Sequence, residues 1–338
     1  MRSAMVNFPE QKNSTETTGK KPPGDVVFSA AMHLRLLLRV DRTQSIRHAL
    51  RAAIRPGARV LDAGCGSGLL SFLAIEAGAS EVVAVDRDNI DLARALARAN
   101  GMADRIRFIE ADITTLEPTD LTGPFDAILA FVYTNHMLVD EARSRAVTAL
   151  RRQFAAAPCV TVPNRVRYWA IACDWPALDA ATELADLGSA VADMEGRYGL
   201  KFGPLLEAAT TEILFDRARP PIHGEHKWQP ASANGGYRHP RGTGRFLGDR
   251  TLVAEFRYDA EPEFAGLPDR VMVDVHAAGV ATAMMWVQEL WLDDQLIWTA
   301  EAFSPLATPL ATRPGDRLDV RLDPRWRATN AVSVSREI

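Results

Sequence analysis

The chain has 338 residues, of which 47% are hydrophobic, and a formal net charge of −4. This composition supports a large core and two domains, and it gives no reason to expect a nucleic acid or an acidic membrane as partner. No apolar run approaches the roughly 20 residues of a membrane span, and three scattered cysteines indicate neither a disulfide framework nor a zinc site, so a cytoplasmic protein is expected.

The N-terminal part of the chain is predicted to be a flexible tail followed by helix. Residues 1–25 are polar and lack the apolar core of a signal peptide. Apolar residues then recur at spacings of three and four through residues 28–54, which predicts a helical region. The pair Pro56-Gly57 interrupts that pattern.

Strands and helices alternate after this break. The patterns predict strands at 58–64, 81–86, 105–112 and 125–131 and helices at 69–78, 89–101 and 141–154. Regular alternation of this kind is typical of a parallel sheet with helices on both faces. We therefore predict an α/β fold with a doubly wound, Rossmann-like domain over residues 26–160.

The pattern changes after residue 160. A strand is predicted at 165–173, and residues 177–208 look helical or irregular, whereas residues 231–249 read as a long glycine-rich loop. Short β-rich runs follow at 251–258, 270–279, 284–294 and 316–324. They predict an antiparallel, β-barrel-like substrate domain over residues 161–338, with a helical arm at about 177–208.

The strongest motif is VLDAGCGSG at residues 60–68, between a predicted strand and a predicted helix. Its pattern is D-x-G-x-G-x-G, formed by Asp62, Gly64, Gly66 and Gly68. Glycines let the backbone turn tightly and approach a ligand closely. A dinucleotide loop, G-x-G-x-x-G, would need glycine where the sequence has Leu69.

This loop resembles the S-adenosylmethionine loop of class I methyltransferases. Asp86 ends the next strand, where a carboxylate can accept both hydroxyls of a ribose. Asp112 ends the third strand and matches the usual acidic neighbour of the adenine in that family. The resemblance implies an enzyme with S-adenosylmethionine as cofactor. A doubly wound domain that binds another nucleotide, or no ligand, is the alternative.

Within that class the chain resembles the protein arginine methyltransferases over most of residues 28–305. His33 and the pair Arg42-Thr43 resemble the helical segment before the glycine loop, where the family's arginine, matching Arg42, binds the cofactor carboxylate. A solvated helix face is the alternative for Arg42. Residues 196–205 resemble part of the arm through which family members dimerise, so the resemblance implies a homodimer.

The chain departs from this family at the acceptor site. Phe131 stands where the family has the first glutamate of its double-glutamate loop, and Asp140 stands at the second, with Glu141 beside it. Met285 replaces the histidine of the Thr-His-Trp loop, although Trp286 and Gln288 remain. A guanidinium buried beside Phe131 with one acidic partner would be poorly matched, at a cost of several kcal/mol.

We therefore predict a methyl acceptor other than arginine, such as a small-molecule hydroxyl, amine or carboxylate. Phe131, Tyr133 and Met285 are the predicted substrate-binding residues. A true arginine methyltransferase acting on a peptide and a non-catalytic scaffold that binds S-adenosylmethionine remain alternatives.

Three side chains near the acceptor loop are candidates for the catalytic base: Asp140, Glu141 and His136. Acidic residues at a helix N-terminus also favour the helix dipole, which is the alternative for Asp140 and Glu141. For His136 the alternative is an exposed loop histidine, and for Phe131 it is plain core.

A cluster of histidines follows the predicted helical arm. It has the pattern H-x-x-H, formed by His223 and His226, with His239 thirteen residues further on. Its surroundings are rich in Gly, Pro and Arg and hold no further ligands, so a solvated loop and no metal site are predicted.

Overall fold

The computed structural model describes residues 30–116, 119–133, 137–176, 179–198, 201–218, 229–230, 236–239, 242–259, 266–322 and 332–336. The predicted tail, His136, His223 and His226 lie outside these residues, as does the side chain of His239. Among the described helices, none combines the length and apolarity that crossing a membrane requires. The described residues also contain no group of three or more His, Cys, Asp or Glu that could hold a metal ion.

The first part of the chain forms a five-stranded parallel sheet with the order β3-β2-β1-β4-β5. Its strands are β1 (Arg59–Ala63), β2 (Glu81–Asp86), β3 (Ile106–Glu110), β4 (Phe125–Leu129) and β5 (Ala155–Val162). Its helices are α1 (Ala30–Leu38), α2 (Val40–Ala53), α3 (Leu69–Glu76), α4 (Ile90–Ala99) and α5 (Met137–Phe154). The predicted α/β, doubly wound fold is confirmed.

Two apolar cores cover the two faces of this sheet. Val60 and Val82 pack into one core, whereas their neighbours Leu61 and Val83 pack into the other. Successive side chains of a strand point to opposite faces, so a strand buried on both faces reads as a continuous apolar run. This burial explains why the central strands were predicted from the sequence.

The second part of the chain is built from antiparallel strands. Its elements are β6 (Arg165–Asp174), α6 (Ala181–Tyr198), α7 (Gly203–Ala218), β7 (Gln229–Pro230), β8 (Gly236–His239), β9 (Gly242–Phe246), β10 (Thr251–Arg257), β11 (Arg270–Asp274), β12 (Gly279–Leu292), β13 (Gln295–Thr312), β14 (Arg317–Leu322) and β15 (Val332–Arg336). One sheet has the order β13-β12-β6-β9-β8-β7, with β10 also paired to β6, and another has the order β11-β14-β15.

The structure differs from the predicted elements in three places. The segment 231–249, predicted as a loop, contains β8 and β9. Strand β5 was not predicted, because Ala155–Pro158 are weak strand formers and its pairing with β4 stabilises it. Helix α5 begins at Met137, not at residue 141, so Asp140 lies within its first turn.

Candidate functional site

The glycine loop leaves the carboxyl end of β1 in a left-handed backbone conformation. Gly64, Gly66 and Gly68 have φ angles of 80°, 55° and 83°. Residues that carry a side chain rarely adopt these backbone angles, so glycine is required here. A Cβ atom on Gly66 would also lie 2.4 Å from Cε1 of His33 on α1. Helix α1 therefore lies directly against the loop.

Asp62 is a fully buried carboxyl group beneath this loop. Its Oδ2 accepts a hydrogen bond of 2.6 Å from Oγ of Ser71, and among the described residues its buried Oδ1 has no hydrogen-bond partner. Burial raises the pKa of Asp62 to about 7, against the opposing effect of the Ser71 hydrogen bond. A cationic ligand group nearby would stabilise the ionised form.

Asp86, at the end of β2, is oriented by the backbone. Its Oδ2 accepts from the N–H of Gly66 over 2.8 Å, and its Oδ1 accepts from the N–H groups of Asp88 and Asn89, each over 3.0 Å. A carboxylate offers about four lone pairs. Oδ2 therefore retains capacity for a hydroxyl of a bound ligand.

Asp112, beyond the end of β3, is held in its ionised form. Thr114 donates to its Oδ1 from the backbone N–H and from Oγ1, over 2.9 and 2.7 Å, and Arg87 donates to its Oδ2 over 3.2 Å. Partial burial opposes ionisation, but the Thr114 hydrogen bonds and the Arg87 charge outweigh it and lower the pKa of Asp112.

Arg42 on α2 is a partly buried cation that has no anionic partner among the described residues. Burial, and secondarily the charge of Arg39, lowers the pKa of Arg42 to about 10. Within the described part of the chain no hydrogen bond or ion pair to Arg42 occurs. Because a desolvated guanidinium favours a carboxylate or phosphate partner, Arg42 fits an anionic ligand group.

Asp140, one of the predicted acceptor-site residues, is buried in a triangle of hydrogen bonds. Tyr168 Oη donates to Asp140 Oδ2 over 2.6 Å, and Gln288 Nε2 donates to the same oxygen over 2.9 Å. Gln288 Nε2 also donates to Tyr168 Oη over 2.7 Å. The predicted base therefore already accepts two hydrogen bonds.

A second polar chain lies one helical turn along α5. Tyr258 Oη donates to Oγ of Ser144 over 3.0 Å and is also hydrogen-bonded to Oη of Tyr133. Burial raises the pKa of both tyrosines. These hydroxyls can orient a ligand, but they ionise too weakly to remove protons at neutral pH.

The structure brings together some of the predicted acceptor residues and separates others. Phe131 packs against both the core beneath the parallel sheet and the core of the antiparallel part. Met285 lies on the opposite face of β12 from Gln288, in a core with Phe303, so it is not beside Asp140. Glu141 does not join Asp140 in the described contacts and instead forms an ion pair of 2.9 Å with Arg145.

The residues that complete the network were not predicted as site residues. They are Tyr168, Gln288, Tyr258 and Ser144. The sequence RVRYWAIAC shows Tyr168 only as one more apolar position of a strand. A buried tyrosine usually finds some partner for its hydroxyl, and the sequence does not say which.

Comparisons with known proteins match the cofactor half most clearly. Residues 60–155 match the family model described as a methyltransferase domain. The chain is 32% identical over 138 residues to an arginine N(omega)-methyltransferase of Streptomyces achromogenes subsp. streptozoticus, covering 40% of this chain and 38% of that protein. It is 31% identical over 154 residues to the ribosomal protein arginine N-methyltransferase rmt3 of Schizosaccharomyces pombe, covering 45% and 26%. The matches thus span less than half of these relatives.

Two solved structures share the whole architecture. Arabidopsis thaliana protein arginine methyltransferase 10 has a TM-score of 0.62 and 16% identity, with 92% of this chain and 97% of that chain covered. The Trypanosoma brucei PRMT1 enzyme–prozyme heterotetrameric complex with AdoHcy has a TM-score of 0.59 and 18% identity, with 86% of each chain covered. The predicted resemblance to class I methyltransferases with the build of the arginine methyltransferases is confirmed.

Proposed function

We propose that the protein is an S-adenosylmethionine-dependent methyltransferase whose acceptor is a small molecule or another group that is not arginine. The acceptor assignment rests on the residues at the two positions where the arginine methyltransferases have their glutamate pair. Phe131 occupies one position, and at the other Asp140 is buried and accepts hydrogen bonds from Tyr168 and Gln288. An incoming guanidinium would meet a carboxylate that is buried and already hydrogen-bonded within the protein.

The cofactor assignment is supported by the match to a methyltransferase domain and by the T. brucei complex with AdoHcy. The groups present also fit it. Arg42 would hold the cofactor carboxylate, and Asp62 would attract its ammonium group. Asp86 would accept hydrogen bonds from the ribose hydroxyls, and Asp112 would lie on the adenine side.

When bound, S-adenosylmethionine would supply a methyl group on a sulfonium, which is already a good leaving group. The protein then needs mainly to place the acceptor in line with that methyl group, which can supply much of the rate. Tyr133 and Phe131 are the described side chains suited to positioning. Asp140 is buried, Tyr133 is partly buried, and both are hydrogen-bonded, so we assign them the role of positioning the acceptor and not of removing its proton.

Cofactor binding tests the first half of this proposal. Isothermal titration with S-adenosylmethionine should show binding that Arg42→Ala weakens by about 10–100-fold, because a charge-assisted hydrogen bond is lost. Arg51→Ala is the matched control, since Arg51 is an exposed cation on the same helix. No binding by the wild type at millimolar cofactor, or equal losses in both variants, would count against the assignment.

Acceptor identity needs a separate assay. Release of S-adenosylhomocysteine should be stimulated by a pool of small hydroxyl, amine and carboxylate compounds and not by an arginine-rich peptide. Arginine methylation is the second candidate, because both relatives above are named for it. Transfer to such a peptide that is lost in Asp140→Asn would establish that candidate instead, whereas no turnover with any acceptor would favour a non-catalytic binding protein.

We also propose a homodimer in the cytoplasm. The arm-like residues 196–205 fall at the end of α6 and the start of α7, and they include Leu205, which is 62% exposed. Oε1 of Glu195 in α6 accepts a hydrogen bond of 2.6 Å from the N–H of Phe202, the residue before α7. The T. brucei neighbour is named as a heterotetrameric complex, which supports assembly through this architecture.

A further inference from the structure

Tyr168 and Gln288 face each other across two paired strands. In the antiparallel pairing of β6 with β12, Gln288 is the direct partner of Tyr168, so their side chains lie on the same face of the sheet. Both side chains are buried. The contact with Asp140 is therefore fixed by backbone register and does not depend on a mobile loop.

The hydroxyl proton of Tyr168 has one destination within this triangle. Because Tyr168 Oη accepts from Gln288 Nε2, the tyrosine O–H is directed to Asp140 Oδ2. The Tyr168 ring is also wedged edge-on against Phe256, with ring centroids 5.6 Å apart and planes at 84°. Tyr168 therefore cannot swing aside without repacking the core.

An arginine acceptor would have to supply the donors that Tyr168 and Gln288 already supply. A guanidinium recognises a carboxylate through N–H groups in a planar fork. At Asp140 the tyrosine hydroxyl and the glutamine amide both donate to Oδ2 from inside the protein, so a planar fork cannot engage both oxygens without displacing them. Of the two, Tyr168 has the larger side chain and makes the shorter hydrogen bond to Oδ2, 2.6 Å against 2.9 Å.

We infer that Tyr168 is a specificity-determining residue of the acceptor site. It excludes a guanidinium from Asp140 and leaves Phe131 and Tyr133 as the described surface for a neutral acceptor. This inference rests on the proposed function and deepens it, because it assigns the exclusion of cationic acceptors to one side chain that acts through Asp140.

Binding of L-arginine and of its neutral counterpart L-citrulline, measured by titration of the S-adenosylhomocysteine complex, tests the inference. The wild type should not distinguish the two ligands. Tyr168→Phe removes the hydroxyl, and Tyr168→Leu removes both hydroxyl and ring. At least one of these variants should bind L-arginine about tenfold or more tighter than the wild type, without a matching gain for L-citrulline. No gain in either variant would overturn the inference.

Two further variants separate this effect from a structural one. Thr282→Val is the matched control, because it removes a buried hydroxyl of β12 that bonds to the backbone of Trp175 and has no contact with the triangle in the described hydrogen bonds. It should leave arginine affinity unchanged. Adding Asp140→Asn to the Tyr168 variant should abolish the gain, because the amide carries no charge. A gain that persists without the carboxylate, or that appears in Thr282→Val, would contradict the assignment.

The same samples distinguish this inference from the proposed function. Titration with S-adenosylmethionine reports the cofactor site, which lies outside the triangle. Failure of the wild type to bind cofactor would count against the proposed function. Intact cofactor binding with no gain of arginine affinity in the Tyr168 variants would count against this inference alone.

Discussion

Asp62 shows how one residue of a loop motif acquires unusual chemistry. The motif places it at the end of a buried strand, and the fold then removes it from water entirely. Oδ2 is satisfied by Ser71, whereas Oδ1 has no partner among the described residues. A carboxyl group held in this way resists ionisation, and this resistance couples its titration to folding.

The pKa of Asp62 predicts a pH-dependent stability. Its pKa of about 7 lies above the ordinary value of 3.8 that applies to the unfolded chain. The folded protein therefore binds the proton more tightly, so this group's stabilising contribution is complete below about pH 4 and is lost as pH rises to about 7. Without cofactor, this loss should reduce the free energy of unfolding by roughly 2–4 kcal/mol.

Urea denaturation at pH 5 and pH 8 checks this prediction. Asp62→Asn should lose that part of the pH dependence and be more stable than the wild type at pH 8. Asp112→Asn is the control of opposite sign, because the pKa of Asp112 is lowered and its contribution is lost only at more acidic pH. An unchanged difference between wild type and Asp62→Asn at the two pH values would contradict the prediction.

At the scale of elements, helix α5 joins the two halves of the molecule through one face. Asp140 and Ser144 are four residues apart and so lie on the same side of the helix. They meet hydroxyl and amide groups of the antiparallel part, namely those of Tyr168, Tyr258 and Gln288. The two adjacent acidic residues at the start of the helix thus differ. Asp140 makes buried hydrogen bonds, whereas Glu141 makes a partly exposed ion pair with Arg145.

This division predicts different costs for two adjacent substitutions. Asp140→Ala should destabilise the protein by about 2–4 kcal/mol, because Tyr168 and Gln288 would lose a buried acceptor. Glu141→Ala removes only a partly exposed pair with Arg145 and should change stability by about 0.5 kcal/mol or less. Chemical denaturation of the two variants measures both values. Equal costs would show that Asp140 is not held in the network.

At the scale of the whole molecule, the α/β part and the antiparallel part share a continuous core. Met137 and Val147 of α5 pack in the same cluster as Trp286 and Val273. Phe131 contacts that cluster and also the core of the parallel sheet. Phe131 therefore lies at the junction of the two parts and contacts the cores of both.

The proposed homodimer is tested at this scale. Light scattering after size exclusion should give twice the chain mass of 37.1 kDa. Leu205→Glu places a charge on the exposed arm position and should shift the protein toward monomer without lowering its thermal stability. Leu296→Glu is a control, because Leu296 is also exposed but lies in β13. A wild-type monomer at micromolar concentration would contradict the proposal.

The sequence predicted the central elements well because their signals are local. Strand β2 was predicted with its observed bounds, and the apolar run of β1 marks burial on both faces. Strand β5 and the pair β8 and β9 escaped prediction, because alanine, glycine and proline give little strand signal. Their conformation is supplied by pairing with neighbours that are distant in the chain.

By itself, the sequence determined the doubly wound fold and the glycine loop with its acidic partners, and its resemblance to the arginine methyltransferases predicted the loss of one acceptor glutamate. These follow from short-range patterns, in which backbone freedom and strand ends fix what a residue can do. Only the tertiary structure decided that Tyr168 and Gln288 donate hydrogen bonds to Asp140, and that Met285 packs in a separate core with Phe303. Strand register sets those contacts, and a register shift of one residue would reverse every side chain on β12.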